Sequence, residues 1–331
     1  MDLVDLSAVA NRRAAPLSYE VRIQWMEGSL SGVDVLRRSA LVYPTQGRSK
    51  PAKSIGCNGL APRLETSKQK MRNLKLIVSY DGTDFAGWQV QPEAATVQGT
   101  LASAIGRVTG ENVLPQGSGR TDAGVHALGQ VVSFATESPI PAANFVVALN
   151  DVLPAAVRVL SAEEMPAEFH ARKSARAKTY RYRISRGAIC SPFLARYVWH
   201  FPYPLEERAM ADAAGFVVGE RDFTSFAAVD PERSKGFHHE GHQVTLRNLE
   251  QFNVRTIFSS TWEREGEEFV YTVRGSGFLH HMVRNLVGTF ILVGKKTLTV
   301  EDMTRILGER DRSAAGATAP ASGLCLIGVE Y

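Results

Sequence analysis

Gly117-Ser-Gly-Arg-Thr-Asp-Ala-Gly-Val-His126, continued by Ala127-Leu-Gly-Gln130 and Val131-Val-Ser-Phe134, is the stretch on which the reading of this chain turns. Its first half holds three glycines, a cation and a carboxylate, and almost nothing that could fill a core. Its second half alternates like a strand. Glycines let a backbone bend sharply and approach a ligand closely, and a charged loop held against a rigid strand is a common place for chemistry. Asp and Gly are equally ordinary turn residues, so turn and active site both stand as readings of this stretch. It is no dinucleotide fingerprint, because Asp122 occupies the third glycine slot of GxGxxG. It is no phosphate loop, because no Gly-Lys-Ser/Thr follows. What remains is Arg120-Thr-Asp122, a carboxylate two residues from a guanidinium. A nearby cation favours the charged form of a carboxylate, as a nucleophile or base requires.

Outward from the loop, the flanking segments alternate between strand and helix patterns. Leu74, Leu76, Val78 and Tyr80 alternate with Lys75, Ile77 and Ser79, predicting a strand with one buried face. Thr96 is placed to cap a helix carrying Val97, Leu101, Ile105 and Val108, with Gly110 just past its end. Strands are expected over about 130–135 and 157–162, with a short helix near 143–150 between them. A second series begins with a strand over Lys178–Ile184, Tyr180, Tyr182 and Ile184 on one face and Arg181 and Arg183 on the other. It continues with a helix over about 205–218 and a hairpin whose arms are 249–262 and 269–274. A helix from about His280 to Val293 follows, then a helix opened by a Thr299/Asp302 capping box and running through Leu307. Leu324–Val329 reads as a closing strand. The fold class expected is α+β: two similar α/β halves, 71–175 and 176–331, with mainly antiparallel sheets flanked by helices.

The chain has 331 residues, 44% hydrophobic and 22% charged, as a soluble globular protein does. Its net charge of +4 is misleading, because residues 1–70 alone carry +5 and the rest of the chain is −1. Those first seventy residues show no sustained period and are rich in Ser, Pro, Gly and Arg, apart from a short apolar piece at Val21–Trp25. They read as a disordered extension, with Met71 as the expected natural start. Cys57, Cys190 and Cys325 are far apart and form no CxxC pair, which argues against a disulfide framework or a zinc site and suits the reducing cytoplasm. No apolar run approaches the roughly 18 residues that would span a membrane, and no secretory signal opens the chain. His238 and His242 stand four apart in Lys235-Gly-Phe-His-His-Glu-Gly-His242, but the glycines oppose a helix and no further ligand completes a metal site.

Two further clusters stand out. Arg172 to Arg186 contains seven cations and no acid, with Tyr180 and Tyr182 interleaved, a pattern suited to RNA or to a charged edge strand. Phe278-Leu-His-His-Met-Val-Arg-Asn285 brings His281, Arg284 and Asn285 together beside an apolar helix face.

Six segments in order then resemble one family. Tyr80-Asp-Gly-Thr-Asp-Phe-Ala-Gly-Trp-Gln89, Gly119-Arg-Thr-Asp-Ala-Gly-Val-His126, Phe169-His-Ala-Arg172, Lys178-Thr-Tyr-Arg-Tyr182, Asp222-Phe-Thr-Ser-Phe226 and His280-His-Met-Val-Arg-Asn285 are similar to bacterial tRNA pseudouridine synthase A, collinearly from about Arg72 to the end. The resemblance implies a pseudouridine synthase fold and isomerisation of uridine to pseudouridine at nucleotides 38, 39 and 40 of the tRNA anticodon stem-loop. It implies a homodimer with neither metal nor organic cofactor. It places the catalytic aspartate at Asp122, its motif arginine at Arg120, the substrate-stacking tyrosine at Tyr180 and a supporting arginine at Arg284, which would pair with Asp122. His126 and His281 are expected to be scaffold. Val229–Val244 departs from the family pattern, being longer and richer in histidine. The competing expectation, from another class, is an RNA-binding module that kept the fold and lost catalysis.

Overall fold

In the computed structural model, residues 70–228 and 253–331 are described. The expected extension over 1–70, but for its last residue, lies outside them, as do the histidine-rich segment 235–242 and the beginning of the hairpin at Leu249.

Arg72–Tyr80 (β1) buries Leu74, Leu76, Val78 and Tyr80 and leaves Lys75, Ile77 and Ser79 half-exposed. Its register is tightly specified, because a slip by one residue would carry that whole apolar set into solvent. Val97–Thr109 (α1) starts where Thr96 Oγ1 accepts the Gly99 N–H at 3.3 Å and ends at Gly110, whose φ is 78°. Gln116–Gly117 (β2), His126–Thr136 (β3), Ala142–Val152 (α2) and Val157–Met165 (β4) complete the first half. The third strand is longer than its own sequence pattern predicts. Its extra residues His126 and Ala127 pair with Cys325 and Leu326, some two hundred residues away, which local alternation cannot announce.

The second half opens with Ala177–Ser185 (β5) and the short Trp199–His200 (β6). Glu207–Gly215 (α3) is shorter than the predicted 205–218. Leu205 and Val217 do pack on the core, but from the turns on either side, so apolar spacing there records burial and not helix. Gly219–Asp222 (β7), Val254–Glu265 (β8) and Glu268–Gly275 (β9) follow, then Met282–Gly294 (α4), Asp302–Glu309 (α5) and Leu324–Glu330 (β10). The Thr299/Asp302 box forms reciprocally: the Thr299 N–H reaches Asp302 Oδ2 at 2.8 Å, and the Asp302 N–H reaches Thr299 Oγ1 at 3.4 Å.

The expected α+β class with mainly antiparallel pairing is borne out. Among the described residues the strands form a single sheet in the order β4-β1-β3-β10-β5-β9-β8-β7, with β2 on β3 and β6 on β5. The halves are alike once the short β6 and β7 and the extra helix α5 are set aside, since each then runs strand–helix–strand–strand–helix–strand. In the first the strands lie β4-β1-β3-β2, and in the second β10-β5-β9-β8, the same spatial order. The seam is β10, parallel to β3 and antiparallel to β5. Cross-strand partners share a face, and the chain Leu76–Val132, Ala127–Leu326, Leu326–Tyr180 and Tyr182–Tyr271–Trp262 carries one buried face across both halves. Helices α1, α2, α3 and α4 contribute Leu101, Phe145, Met210 and Phe290 to that core. Leu128 and Leu160 are more than half-exposed, and Phe258 is exposed.

Candidate active site

Asp122 lies between β2 and β3 in a tight turn, where the Val125 N–H donates to the Asp122 carbonyl at 3.1 Å and Gly124 has φ 77°. A side chain at 124 would be strained at that φ. The turn is pressed from behind by the segment after β1. Gly87, at φ 96°, passes so close that a Cβ on it would stand 2.8 Å from the Thr121 carbonyl oxygen and 3.1 Å from the Ala123 nitrogen. The Trp88 N–H donates to the Thr121 carbonyl at 3.0 Å. The Tyr80–Gln89 motif therefore serves as the wall against which the Asp122 turn is cast.

The partner of Asp122 comes from the other half. Arg284, in the first turn of α4, donates from Nη1 to Asp122 Oδ2 at 2.7 Å and from Nε to the Ala319 carbonyl at 2.7 Å. Both charged side chains are about 15% exposed. A charge-assisted hydrogen bond contributes roughly 1.5–3 kcal/mol, more than a neutral one, and the second grip on Ala319 fixes the guanidinium plane. Sequence separation between the partners is 162 residues.

Two histidines flank the same carboxylate. His281 precedes α4 with φ 59°, a left-handed conformation uncommon outside glycine. This bend shortens the predicted helix by two residues and turns both rings toward Asp122. His280 Nε2 lies 3.8 Å from Oδ1 and His281 Nε2 lies 3.5 Å from Oδ2, with the imidazole centroids 4.0 Å apart. Burial pushes His281 below the ordinary histidine range, against the upward pull of Asp122. Among the described residues, Asp122, His280 and His281 form the one trio whose metal-ligating atoms all lie within 4.8 Å of one another. Arg284 already holds that carboxylate, so a cation there would meet a positive charge at close range. His126 is tied into the scaffold: its Nδ1 accepts the Gly82 N–H at 3.1 Å. Asn285, fully buried, bonds the Phe226 carbonyl and accepts from Arg312 and Thr318, binding α4 to its neighbours.

In front of Asp122 opens a cavity of about 480 Å³, lined by Arg120, Asp122, Lys178, Tyr180, Phe278 and His280 among others. This volume lies in the range of small-ligand sites. Tyr180 is 7% exposed and meets the edge of Phe278 at 5.0 Å. Burial raises its phenol well above the usual tyrosine range, so it is neutral there. Lys178 donates to the Ser118 carbonyl at 2.7 Å, and burial, with Arg172 and Arg255 adding to it, lowers its amine to about 8. Alternation along β5 divides the cationic stripe. Lys178 and Tyr180 face the cavity, whereas Arg181 and Arg183 line a separate hollow beside Cys325. Arg183 is held there by Glu268 through two bonds of 2.6 Å, and Arg186 pairs with Glu207.

All four residues singled out from the sequence thus line this cavity or bond directly to a residue that does. Phe278, His280 and Arg312 also belong to it. The first two stood inside a recognised motif, and their part depended on the bend at His281. Nothing in the sequence marked Arg312.

This assembly can be set beside known proteins. A family model described as tRNA pseudouridine synthase matches residues 76–172 and 213–331, segments that contain Arg120, Asp122 and Arg284, with Tyr180 between them. The tRNA pseudouridine synthase A of Solibacter usitatus is 49% identical over 261 residues, 79% of this chain and 100% of the relative. Those of Moorella thermoacetica and Brevibacillus brevis are 46% and 42% identical, over 78% and 79% of this chain and 99% and 100% of their own. A match over most of the length, spanning both halves that meet at the Asp122–Arg284 pair, makes this chain a member of the tRNA pseudouridine synthase family.

Proposed function

We propose that this chain isomerises uridine to pseudouridine in tRNA, at positions 38, 39 and 40 of the anticodon stem-loop, with Asp122 as the catalytic carboxylate. The observation that carries the reading is the Asp122–Arg284 bond at the wall of a cavity that Tyr180 and Arg120 also line. The reaction breaks the N1–C1′ bond, turns the base over and joins C5 to C1′. The C5 proton leaves, and N1 gains one. An ionised carboxylate beside sugar and base serves each route open to it: addition to C1′, addition to C6, or removal of the C2′ proton. Arg284 holds that carboxylate in one orientation through its 2.7 Å bond.

A uridine stacked in a stem-loop must first be extruded, at a cost of a few kcal/mol. Stacking of the base on Tyr180, worth about 1–3 kcal/mol, offsets part of it. Arg120, on the exposed edge of the loop, is positioned to fill the vacated space and to bind phosphate. The chain works as a homodimer in the cytoplasm and without a cofactor, a reading supported by the family resemblance. No helix among the described residues is long and apolar enough to cross a membrane.

The decisive experiment incubates tRNA with the protein, treats it with carbodiimide and maps reverse-transcription stops. New stops at positions 38 to 40, lost with Asp122→Ala, are expected. Identical patterns from the two proteins would leave an RNA-binding module in place of an enzyme.

Two results are expected for RNA binding. Arg172→Ala should reduce the slope of log Kd against log salt by about one, the loss of one phosphate contact, whereas Arg183→Ala on the opposite strand face should leave it unchanged. Equal effects would mean that RNA reaches both faces of the sheet. Lys178 is charged below about pH 8 and neutral above it, so tRNA affinity should fall severalfold as pH rises from 7 to 9. Lys178→Arg, which stays charged, should flatten that dependence in a fluorescence binding titration.

A further inference from the structure

Beneath the Asp122 turn lies a polar cluster that the chemistry above does not use. Gln130 on β3 is fully buried, as is Ser118, and Tyr80 and Thr121 are nearly so. Gln130 Oε1 accepts the Ser118 hydroxyl at 2.6 Å, and its Nε2 donates to the Gly119 carbonyl at 2.9 Å. The same Nε2 lies 3.5 Å from the Tyr80 hydroxyl, which pairs with Thr121 Oγ1 at 2.8 Å. The amide can sit in only one sense, because a carbonyl oxygen accepts and never donates. Nε2 must face Gly119, leaving Oε1 for Ser118.

Other bonds complete the grip. The Ser118 N–H donates to the Val131 carbonyl at 2.7 Å, the Ser118 carbonyl accepts from Lys178, and the Thr121 carbonyl accepts from Trp88. The loop is thus held from inside at 118, 119 and 121. Arg120 and Asp122, the two residues interleaved with these anchors, both reach the cavity.

We propose that Gln130 is a positioning residue of the reaction: its buried amide sets the bend of residues 118–121 and thereby the aim of Asp122 and Arg120. The inference rests on the reading of Asp122 given above. Gln130 touches no reacting atom. It acts by holding the Gly119 carbonyl and the Ser118 hydroxyl in one arrangement, so its loss is felt in the chemical step and not in tRNA capture. A misplacement of about 1 Å at a reacting group can cost on the order of 100-fold in rate.

The test is steady-state and single-turnover kinetics of the full chain on a tRNA transcript, with circular dichroism to verify folding. Gln130→Met, close in volume but without donor or acceptor, is expected to lower kcat about 100-fold with KM within about threefold. Gln130→Glu keeps an acceptor for Ser118 but, when ionised, has no donor for Gly119. Its kcat relative to wild type should rise as pH falls from 8 to 6 and the buried carboxyl takes up a proton, a signature that general loosening of the fold would not produce. A Gln130→Met kcat within twofold of wild type, or a flat ratio for Gln130→Glu, overturns the proposal. Should Gln130→Met not fold, Ser118→Ala decides: about tenfold lower kcat at unchanged KM supports it, and unchanged kcat overturns it. Asp122→Asn in parallel separates the levels. Activity there removes the reading of the site itself, whereas an inactive Asp122→Asn beside a fully active Gln130→Met removes only the role of Gln130.

Discussion

Asp122→Asn is expected to lower turnover by at least about 10³-fold, within the roughly 10⁶-fold that loss of a central catalytic group can cost, while tRNA affinity stays within a few-fold. The substitution is isosteric and the remaining oxygen can still accept from Arg284, so the turn between β2 and β3 has no reason to move. What disappears is the negative charge on which each of the three routes depends and which each turnover restores. The binding surface, meanwhile, is built by other groups: Arg120, Arg172, Lys178 and Tyr180 line the cavity independently of Asp122. Single-turnover assays with a filter-binding titration on the same preparation check both halves of the prediction. A large loss of affinity at preserved rate would make Asp122 a structural residue.

The second large effect is at Arg284. Arg284→Met strips the carboxylate of its 2.7 Å partner and leaves the Ala319 carbonyl without its guanidinium donor. Breaking a fully buried pair costs about 3–5 kcal/mol. These side chains retain about 15% exposure, so the lower end of that range applies and a clear drop in Tm is expected; separately, the carboxylate that has lost its aim should lower kcat about 100-fold. Arg284→Lys keeps the charge but cannot span Asp122 and Ala319 with one planar group, and should recover only part of the rate. A double-mutant cycle with Asp122→Ala, which removes both carboxylate oxygens, isolates the pair. A coupling energy of about 1–3 kcal/mol in stability is expected, and a value near zero would mean that the two charges meet without consequence.

Much of this arrangement was legible locally. The apolar alternation of Leu74 to Tyr80 gave β1 and its buried face, and Thr96 and Gly110 gave both ends of α1. The parity of β5 alone separates Tyr180 and Tyr182 from Arg181 and Arg183. The charge count misled at that same strand. A run of seven cations looks like one surface, but a strand sends alternate residues to opposite faces, and only part of the run reaches the cavity. Three other features were out of reach because they are not local. The pairing of β10 with β3 and β5 depends on a register set by distant partners, the left-handed turn at His281 depends on what α4 packs against, and Gln130 reads as an ordinary polar residue in a strand until its burial is seen. The Asp122–Arg284 pair entered through family resemblance, since spacing alone cannot join residues so far apart.

The position of β10 also has a kinetic meaning. Both strands that flank it, β3 and β5, leave the ribosome well before Leu324–Glu330 does. Until that segment emerges, the two halves have no shared ladder, and the facing edges of β3 and β5 stay open to wrong partners. Joining them is a long-range event of the kind that folds slowly. Since Asp122 hangs from one half and Arg284 from the other, the pair between them comes together with β10 rather than with the turn that bears the carboxylate. A nascent chain halted before Leu324 would carry every residue of the pair and be unable to assemble it.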